Sequence, residues 1–340
     1  MGSNQSNTAR LISDPSVWVE FENDWFAQGV SRLAYRGKYR GDPRRDGVLC
    51  VVKVYKEQWY EKLGEYAWQA DDRATTKAQE MARLFNDAHC TSKPIEFLMP
   101  EFTNVDTRAA FKFMGLFPFA TSVKGKLTGT SASSWKMIPA GATVAIEKYL
   151  KGSYVKFLSN TSYENPDVHA SSPVAFSHFT FHASRGTLLV TDLQGVRHKA
   201  GYELTDPAIN SMGQKLGYYG PTDMGIYGIV KFFLTHKCND LCQGLLKPDL
   251  SKIPRDSRRD LDRILEHMQS RCATSYTYHL MQTPGIGENR VQGLHEGVKL
   301  QPIRSGQVSP RSFTTNLILL VVVVAILSWL YMYTYMSAYH

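Results

Sequence analysis

The sequence predicts an α+β fold: a two-lobed body followed by one C-terminal transmembrane helix. Three observations predict it. Short runs rich in β-branched and aromatic residues fill the first 60 positions and return after residue 140. Between them, Lys62–Asn86 repeats apolar residues every three or four positions, the period of a helix with one buried face. Last, Phe313–Tyr335 carries no charged residue at all.

Composition narrows the class. With 340 residues, 43 % hydrophobic and 21 % charged, the chain has the make-up of a folded protein with a sizeable core. A formal charge of +8 suits anionic partners, but the Lys and Arg residues are scattered. No basic run interleaved with aromatics appears, so nucleic acid is not expected as a partner. Five cysteines, an odd number, argue for a reducing compartment and against a disulfide framework.

In chain order, residues 1–15 form a polar leader without the apolar core of a secretory signal. Its Met1-Gly2-Ser3-Asn4-Gln5-Ser6 fits the pattern for a myristoyl group on Gly2. Ser16–Phe26, Gly29–Tyr35 and Val48–Tyr55 read as strands, with the polar Gly37–Gly47 as a hairpin loop. Lys53 sits inside the third of these apolar strands. It either lies on a wet edge or must emerge into a cleft and meet an anion, because burying an unpaired ammonium is costly. Glu80, on the long helix, is a possible ion-pair partner. Pro94–Asn104 and Thr143–Leu150 read as further strands, separated by the Ser/Thr/Gly-rich Thr121–Ser134. Val144–Gly152, a strand followed by a glycine, reads as the connector between an N-lobe (16–146) and a C-lobe (147–250).

Beyond the connector, Ala175–His182 and Gly186–Gln194 read as the two strands of a hairpin. Leu261, Ile264, Leu265 and Met268 mark a short amphipathic helix within a linker at 251–312. Residues 313–336 then form a tail anchor. Roughly 20 apolar residues cross a bilayer, and Trp329, Tyr331, Tyr333 and Tyr335 supply an interfacial belt. Lys299, Arg304 and Arg311 precede the span and no Lys or Arg follows it, which keeps the body on the cytoplasmic side of a single-pass membrane protein.

Two groups of residues carry chemistry. His236-x-Cys238-x3-Cys242 offers three ligands for a zinc-type ion, the cysteines sharing one face if the segment is helical. His178, in the expected strand Ala175–His182, is a candidate fourth. Four protein ligands make a structural site with no open position; free thiols and a surface histidine are the plain alternative. The second group is Asp192, Gln194 and Asp206. Two carboxylates and an amide suit Mg²⁺ with nucleotide phosphates, or one Asp could receive a hydroxyl proton. The same residues also fit a turn at Asp192 and a helix cap at Asp206 with Pro207 in the first turn.

A resemblance separates these options. The segments GVSRLAY with VVKVY, IEKYLKGSYVKFLSN, AFSHFTF, LLVTDLQGV, LTDPAI and GIVKFFLTHKCNDLC resemble the α-kinase family of atypical protein kinases over roughly Trp18–Leu246. The motifs of ordinary protein kinases (His-Arg-Asp, Asp-Phe-Gly, an N-terminal Gly-x-Gly-x-x-Gly) are absent. The resemblance implies a two-lobed, protein-kinase-like fold with a structural zinc in the C-lobe, and transfer of the ATP γ-phosphate to Ser/Thr of protein substrates with Mg²⁺. It places Lys53 on the nucleotide phosphates, with Glu80 as its partner, and Glu147 and Tyr149 on adenine. Lys156 and Asn160 become polar residues of the C-lobe site. Asp192 becomes the catalytic aspartate, Gln194 and Asp206 the Mg²⁺ ligands, and His178, His236, Cys238 and Cys242 the zinc ligands. The chain departs from the family in a longer link at Arg197–Tyr202 and in Thr222-Asp223, where Gly-Asn is usual. The expected function is a membrane-anchored serine/threonine kinase; an inactive kinase-fold binding module is the alternative.

Overall fold

The computed structural model describes residues 6–29, 31–56, 66–89, 93–108, 141–166, 171–212 and 218–253, with scattered single positions and pairs up to Val298. All of them belong to a compact unit that ends at Leu300. Gly2, the Thr121–Ser134 loop, most of the 261–268 helix and the whole of 313–336 lie outside the described residues. Among the described residues no helix is long and apolar enough to cross a membrane.

The N-terminal half is a barrel. Strands β1 (Asn7–Arg10), β2 (Trp18–Gln28), β3 (Arg32–Arg40) and β4 (Leu49–Tyr55) are followed by helix α1 (Tyr66–His89). Then come β5 (Ile95–Phe97), β6 (Glu101–Thr107), the two-residue strands β7 (Lys112–Phe113) and β8 (Phe117–Pro118), and β9 (Thr143–Lys148). Six strands close in the order β1-β2-β3-β4-β9-β6, β1 pairing back onto β6, so no sheet edge is left open. Strand alternation sorts the side chains. Val19, Phe21, Leu33, Tyr35, Cys50, Val52, Val144 and Ile146 fill the interior, each large one contributing about 1.5–3 kcal/mol by leaving water. The register sets Ala34 beside Lys53, Arg32 beside Tyr55, and Val51 beside Glu147. Arg32, Lys53, Tyr55 and Glu147 therefore share the outer face, which α1 and the C-terminal half cover.

The rest of the fold is β10 (Tyr154–Leu158), helix α2 (Ser171–Ala183), β11 (Leu188–Thr191), β12 (Leu193–Arg197), β13 (Tyr202–Thr205), β14 (Ala208–Ser211) and helix α3 (Gly225–Thr235). A four-stranded sheet runs β10-β12-β13-β5. β11 and β14 pair separately, yet in the same register: Thr191 faces Ala208 and Gln194 faces Thr205, three residues on along each strand. The four strands thus form one antiparallel ribbon, broken in the middle at Asp192 and Asp206. Both aspartates take left-handed backbone (φ 56° and 54°), which non-glycine residues adopt at a cost and chiefly at functional sites. Gly195 lets the ribbon close tightly, since a Cβ there would lie 2.1 Å from the Glu203 carbonyl oxygen.

Five expectations are corrected. Ala175–His182 is not a strand but most of α2, and Pro173–Phe181 is buried without interruption. A segment apolar on every face has no period to read, so helix and buried strand look alike in sequence. Cys238 and Cys242 do not share a helix face. α3 stops at Thr235, and the Asn239 side chain accepts from the Leu241 N–H to start a separate 3-10 turn, Asp240–Cys242. Pro94–Asn104 is two strands, β5 and β6, parted at Leu98-Met99-Pro100, where proline has no N–H to donate. Asp206 caps no helix, because β14 follows Pro207. The stretch read as a polar leader also contains a strand, β1.

Candidate active site and metal centre

A cavity of about 440 Å³ opens between the barrel's outer face and the broken ribbon, within the size range of small-ligand pockets. It is lined by Arg32, Ala34, Lys53, Glu147, Tyr149, Lys156, Asn160, Asp192, Gln194 and Asp206, among others. All but one of the expected cleft residues therefore meet there. Glu80 does not. It is exposed on α1, paired with Lys77 three residues earlier at 2.5 Å. Its place beside Lys53 is taken by Glu147, brought alongside by the β4–β9 ladder, and by Asp206.

Lys53 is the hub. Its buried Nζ donates to Glu147 Oε2 (2.6 Å), Thr205 Oγ1 (2.8 Å) and Asp206 Oδ2 (2.7 Å). It thereby joins a barrel strand to the ribbon. Arg32 adds a second cation: its Nη1 lies 3.0 Å from Asp206 Oδ1 and 2.9 Å from Asp71 Oδ2 on α1. The Tyr55 hydroxyl also donates to Asp71 (2.8 Å). Burial works against the charge on Asp206, but Arg32 and Lys53 outweigh it and bring its pKa down to about 2. Asp192 goes the other way. Burial raises its pKa, opposed by Lys156, whose Nζ donates to Asp192 Oδ1 at 2.7 Å. Gln194 Nε2 lies 3.3 Å from the other Asp192 oxygen. Environments that push two carboxyl groups apart in this way suit them to different tasks. Asp206, held ionised near neutral pH by its two cations, is a hard oxygen donor for a cation. Asp192 is the better proton acceptor.

Asn160 anchors the floor. It donates to the Thr222 carbonyl oxygen (2.7 Å) and accepts from Thr191 Oγ1 (2.8 Å), next to Asp192. Asn210, fully buried, donates to Thr191 Oγ1 and accepts from the Met224 N–H. Gly228 makes room for it, since a Cβ there would lie 2.3 Å from the Asn210 side chain. Asp223, one of the departures noted in the sequence, accepts from Ser211 N and Oγ and from Gly225 N, which fixes the start of α3.

The second cluster stands apart from the cleft. One ligand atom each from His178, His236, Cys238 and Cys242 lie within 4.8 Å of one another. His236 Nε2 is 3.5 Å from Cys242 Sγ, and His178 Nδ1 is 3.7 Å from Cys238 Sγ. Bonds of about 2.0–2.3 Å to a tetrahedral ion imply ligand–ligand edges of about 3.5 Å, so the donor set fits such an ion. The other nitrogen of His178, Nε2, lies 3.0 Å from the Leu246 carbonyl oxygen, the arrangement that orients a ligating imidazole. Burial lowers the His178 pKa to about 4, leaving the neutral ring that ligation needs.

The sequence profile of the alpha-kinase family matches residues 27–242. This chain belongs to the alpha-kinase family. Among curated alpha-kinases, it is 42% identical over 223 residues to alpha-protein kinase 1 of Dictyostelium discoideum, covering 65% of this chain and 13% of the relative. It is 38% identical over 123 residues to mouse eukaryotic elongation factor 2 kinase, covering 36% of this chain and 16% of the relative. The chain thus spans well under a fifth of the length of these relatives. The fold agrees. An alpha-kinase from Entamoeba histolytica superposes with a TM-score of 0.51 at 22% identity, over 73% of this chain and 92% of that one. A catalytic-domain mutant of myosin heavy chain kinase A gives 0.50 at 22%, over 71% and 95%.

Arg32 and Thr205, which line this alpha-kinase cleft, and Asp71 and Asn210, which support it from behind, were not among the candidates expected from the sequence. Arg32 had a usable signal, the one applied to Lys53: a cation inside an apolar strand. Asp71, on an alanine-rich helix, resembles any solvated acid in sequence, and only the fold buries it against Arg32.

Proposed function

We propose that this protein is an atypical serine/threonine protein kinase that transfers the γ-phosphate of ATP with Mg²⁺ and carries a structural zinc. The observation behind this is the meeting of Lys53, Asp192, Gln194 and Asp206 in one cavity. In this reading Lys53 and Arg32 neutralise nucleotide phosphates, while the connector at Glu147–Tyr149 borders the adenine. Asp206 and Gln194 would hold Mg²⁺, which offsets charge on the transferring phosphoryl group. Asp192 takes up the substrate hydroxyl's hydrogen bond and orients the oxygen for in-line attack, with Lys156 limiting its basicity. His178, His236, Cys238 and Cys242 hold zinc and leave no open coordination position, so the metal joins α2 to the segment after α3 and takes no part in the chemistry.

The full chain incubated with Mg-ATP and a basic protein should place phosphate on Ser or Thr. Lys53→Ala and Asp192→Ala should each abolish transfer, and an undiminished rate in either one would refute the assignment. The inactive binding-module reading has one observation in its favour: both aspartates already carry lysine partners at 2.7 Å. Nucleotide binding without transfer in the wild type would decide for it. We further propose that residues 313–336 anchor the body to a membrane on its cytoplasmic side, with a possible second attachment through a myristoyl group on Gly2. The charge-free run with its aromatic flank supports this. Deleting 313–340 should move the protein from the membrane pellet to the supernatant; continued pelleting would point to Gly2.

A further inference from the structure

His178 has a carbonyl behind its free nitrogen, and His236 has a carboxylate. The His236 side chain is 1% exposed, and its ring stacks on Phe232 (centroids 4.7 Å apart, planes 15° apart). With Nε2 turned to Cys242, Nδ1 lies 3.6 Å from Glu164 Oε1. Both atoms are shielded from solvent and neither has a hydrogen-bond partner. Two complementary orphans this close are costly apart and favourable together. A divalent ion on Nε2 makes the Nδ1–H a stronger donor, and the pair needs to close by only about 0.7 Å to form an ordinary hydrogen bond.

Glu164 also belongs to the turn that enters the cleft. Its backbone bridges Leu158 at the end of β10. Ser159 N donates to the Tyr163 carbonyl oxygen, and Asn165 Nδ2 to that of Lys156. Asn160, on the same turn, reaches Thr222 and Thr191 in the active site.

We propose that Glu164 is the outer carboxylate of the metal centre, orienting His236, and that through it the bound ion holds the 158–165 turn carrying Asn160. Glu164 is a positioning residue and touches no substrate. The inference rests on the zinc reading above. To test it, full-length protein loaded with zinc is titrated with a chromogenic chelator at neutral pH. Glu164→Gln should release zinc with an affinity about 10- to 100-fold weaker than wild type, and Glu164→Asp should recover part of the loss. Because the Glu164 side chain is 36% exposed, the Gln variant should fold, and its Tm at saturating zinc should match wild type. Amide exchange across 158–165 should quicken when zinc is stripped from wild type. Equal zinc affinity in wild type and Glu164→Gln overturns the inference, as does a lowered Tm at saturating zinc with affinity unchanged. Unaltered exchange on stripping overturns the link to the turn. A wild-type protein that binds no zinc refutes the metal centre itself, a separate and recognisable failure.

Discussion

The two breaks in the ribbon have the same backbone and opposite electrostatics. Asp192 and Asp206 each interrupt a strand with a left-handed residue. Each places its carboxylate in the same cavity. Asp206 is held by Arg32 and Lys53 and stays ionised, whereas Asp192 has burial against it and chiefly the half-exposed Lys156 in its favour. Backbone geometry chose where the carboxylates sit; their neighbours set their proton affinities apart.

That contrast can be broken most directly by exchanging each acid for its amide, which tolerates left-handed backbone. Asp192→Asn should cut kcat by about 10²- to 10⁴-fold, the usual worth of a proton-accepting group, without moving the Mg²⁺ concentration for half-maximal rate. Asp206→Asn should raise that Mg²⁺ requirement. Identical Mg²⁺ dependences in the two variants would erase the distinction. Lys53→Met tests what holds Asp206. It leaves Glu147 without its cation and should cost about 3–5 kcal/mol in urea unfolding, besides the loss of transfer; a change below 1 kcal/mol would show that the buried network is not a stabilising unit.

Arg32→Gln gives a smaller, pH-dependent effect. The folded-state pKa of Asp206, about 2, lies below the ordinary carboxylate value of about 3.9. Its stabilising contribution is therefore complete above about pH 4 and is lost as pH falls towards 2. Removing Arg32 should shift that loss to higher pH in denaturation midpoints measured between pH 2 and 6; superimposable profiles would count against the pairing. Glu80→Ala should change stability by less than about 0.5 kcal/mol and leave the rate alone, since an exposed i,i+3 pair contributes little.

How much of this was legible in the sequence depends on what kind of information each residue carries. Barrel strands β2, β3, β4 and β9 were readable because alternation is local, whereas β1 hid in the polar leader and β6 ran together with β5. Lys53 stood out locally as a lysine that either lay on a wet edge or met an anion, but neither the choice nor the anion's identity could be read there. Glu147 lies 94 residues away and arrives through the β4–β9 register, which nothing near Lys53 encodes. The α2 helix was misread because burial on all sides erased its period. The His/Cys cluster survived that error: His178 reaches Cys238 from a helix as well as it would have from a strand. Asp71 and Asn210 owe their roles entirely to tertiary contacts.

The ribbon's unbroken register also bears on the Arg197–Tyr202 link, which the sequence led us to expect to be longer than is usual in the family. β12 and β13 are joined at His198–Gly201, beyond the last paired rung, Arg197 with Tyr202. Residues added in pairs at that tip extend the ladder like extra rungs above a fixed step, and Gln194 still faces Thr205 below them. A single added residue on one strand would instead reverse the faces of everything past it. The link can therefore vary in length as a freely growing outer end, while the two aspartates keep their places relative to each other.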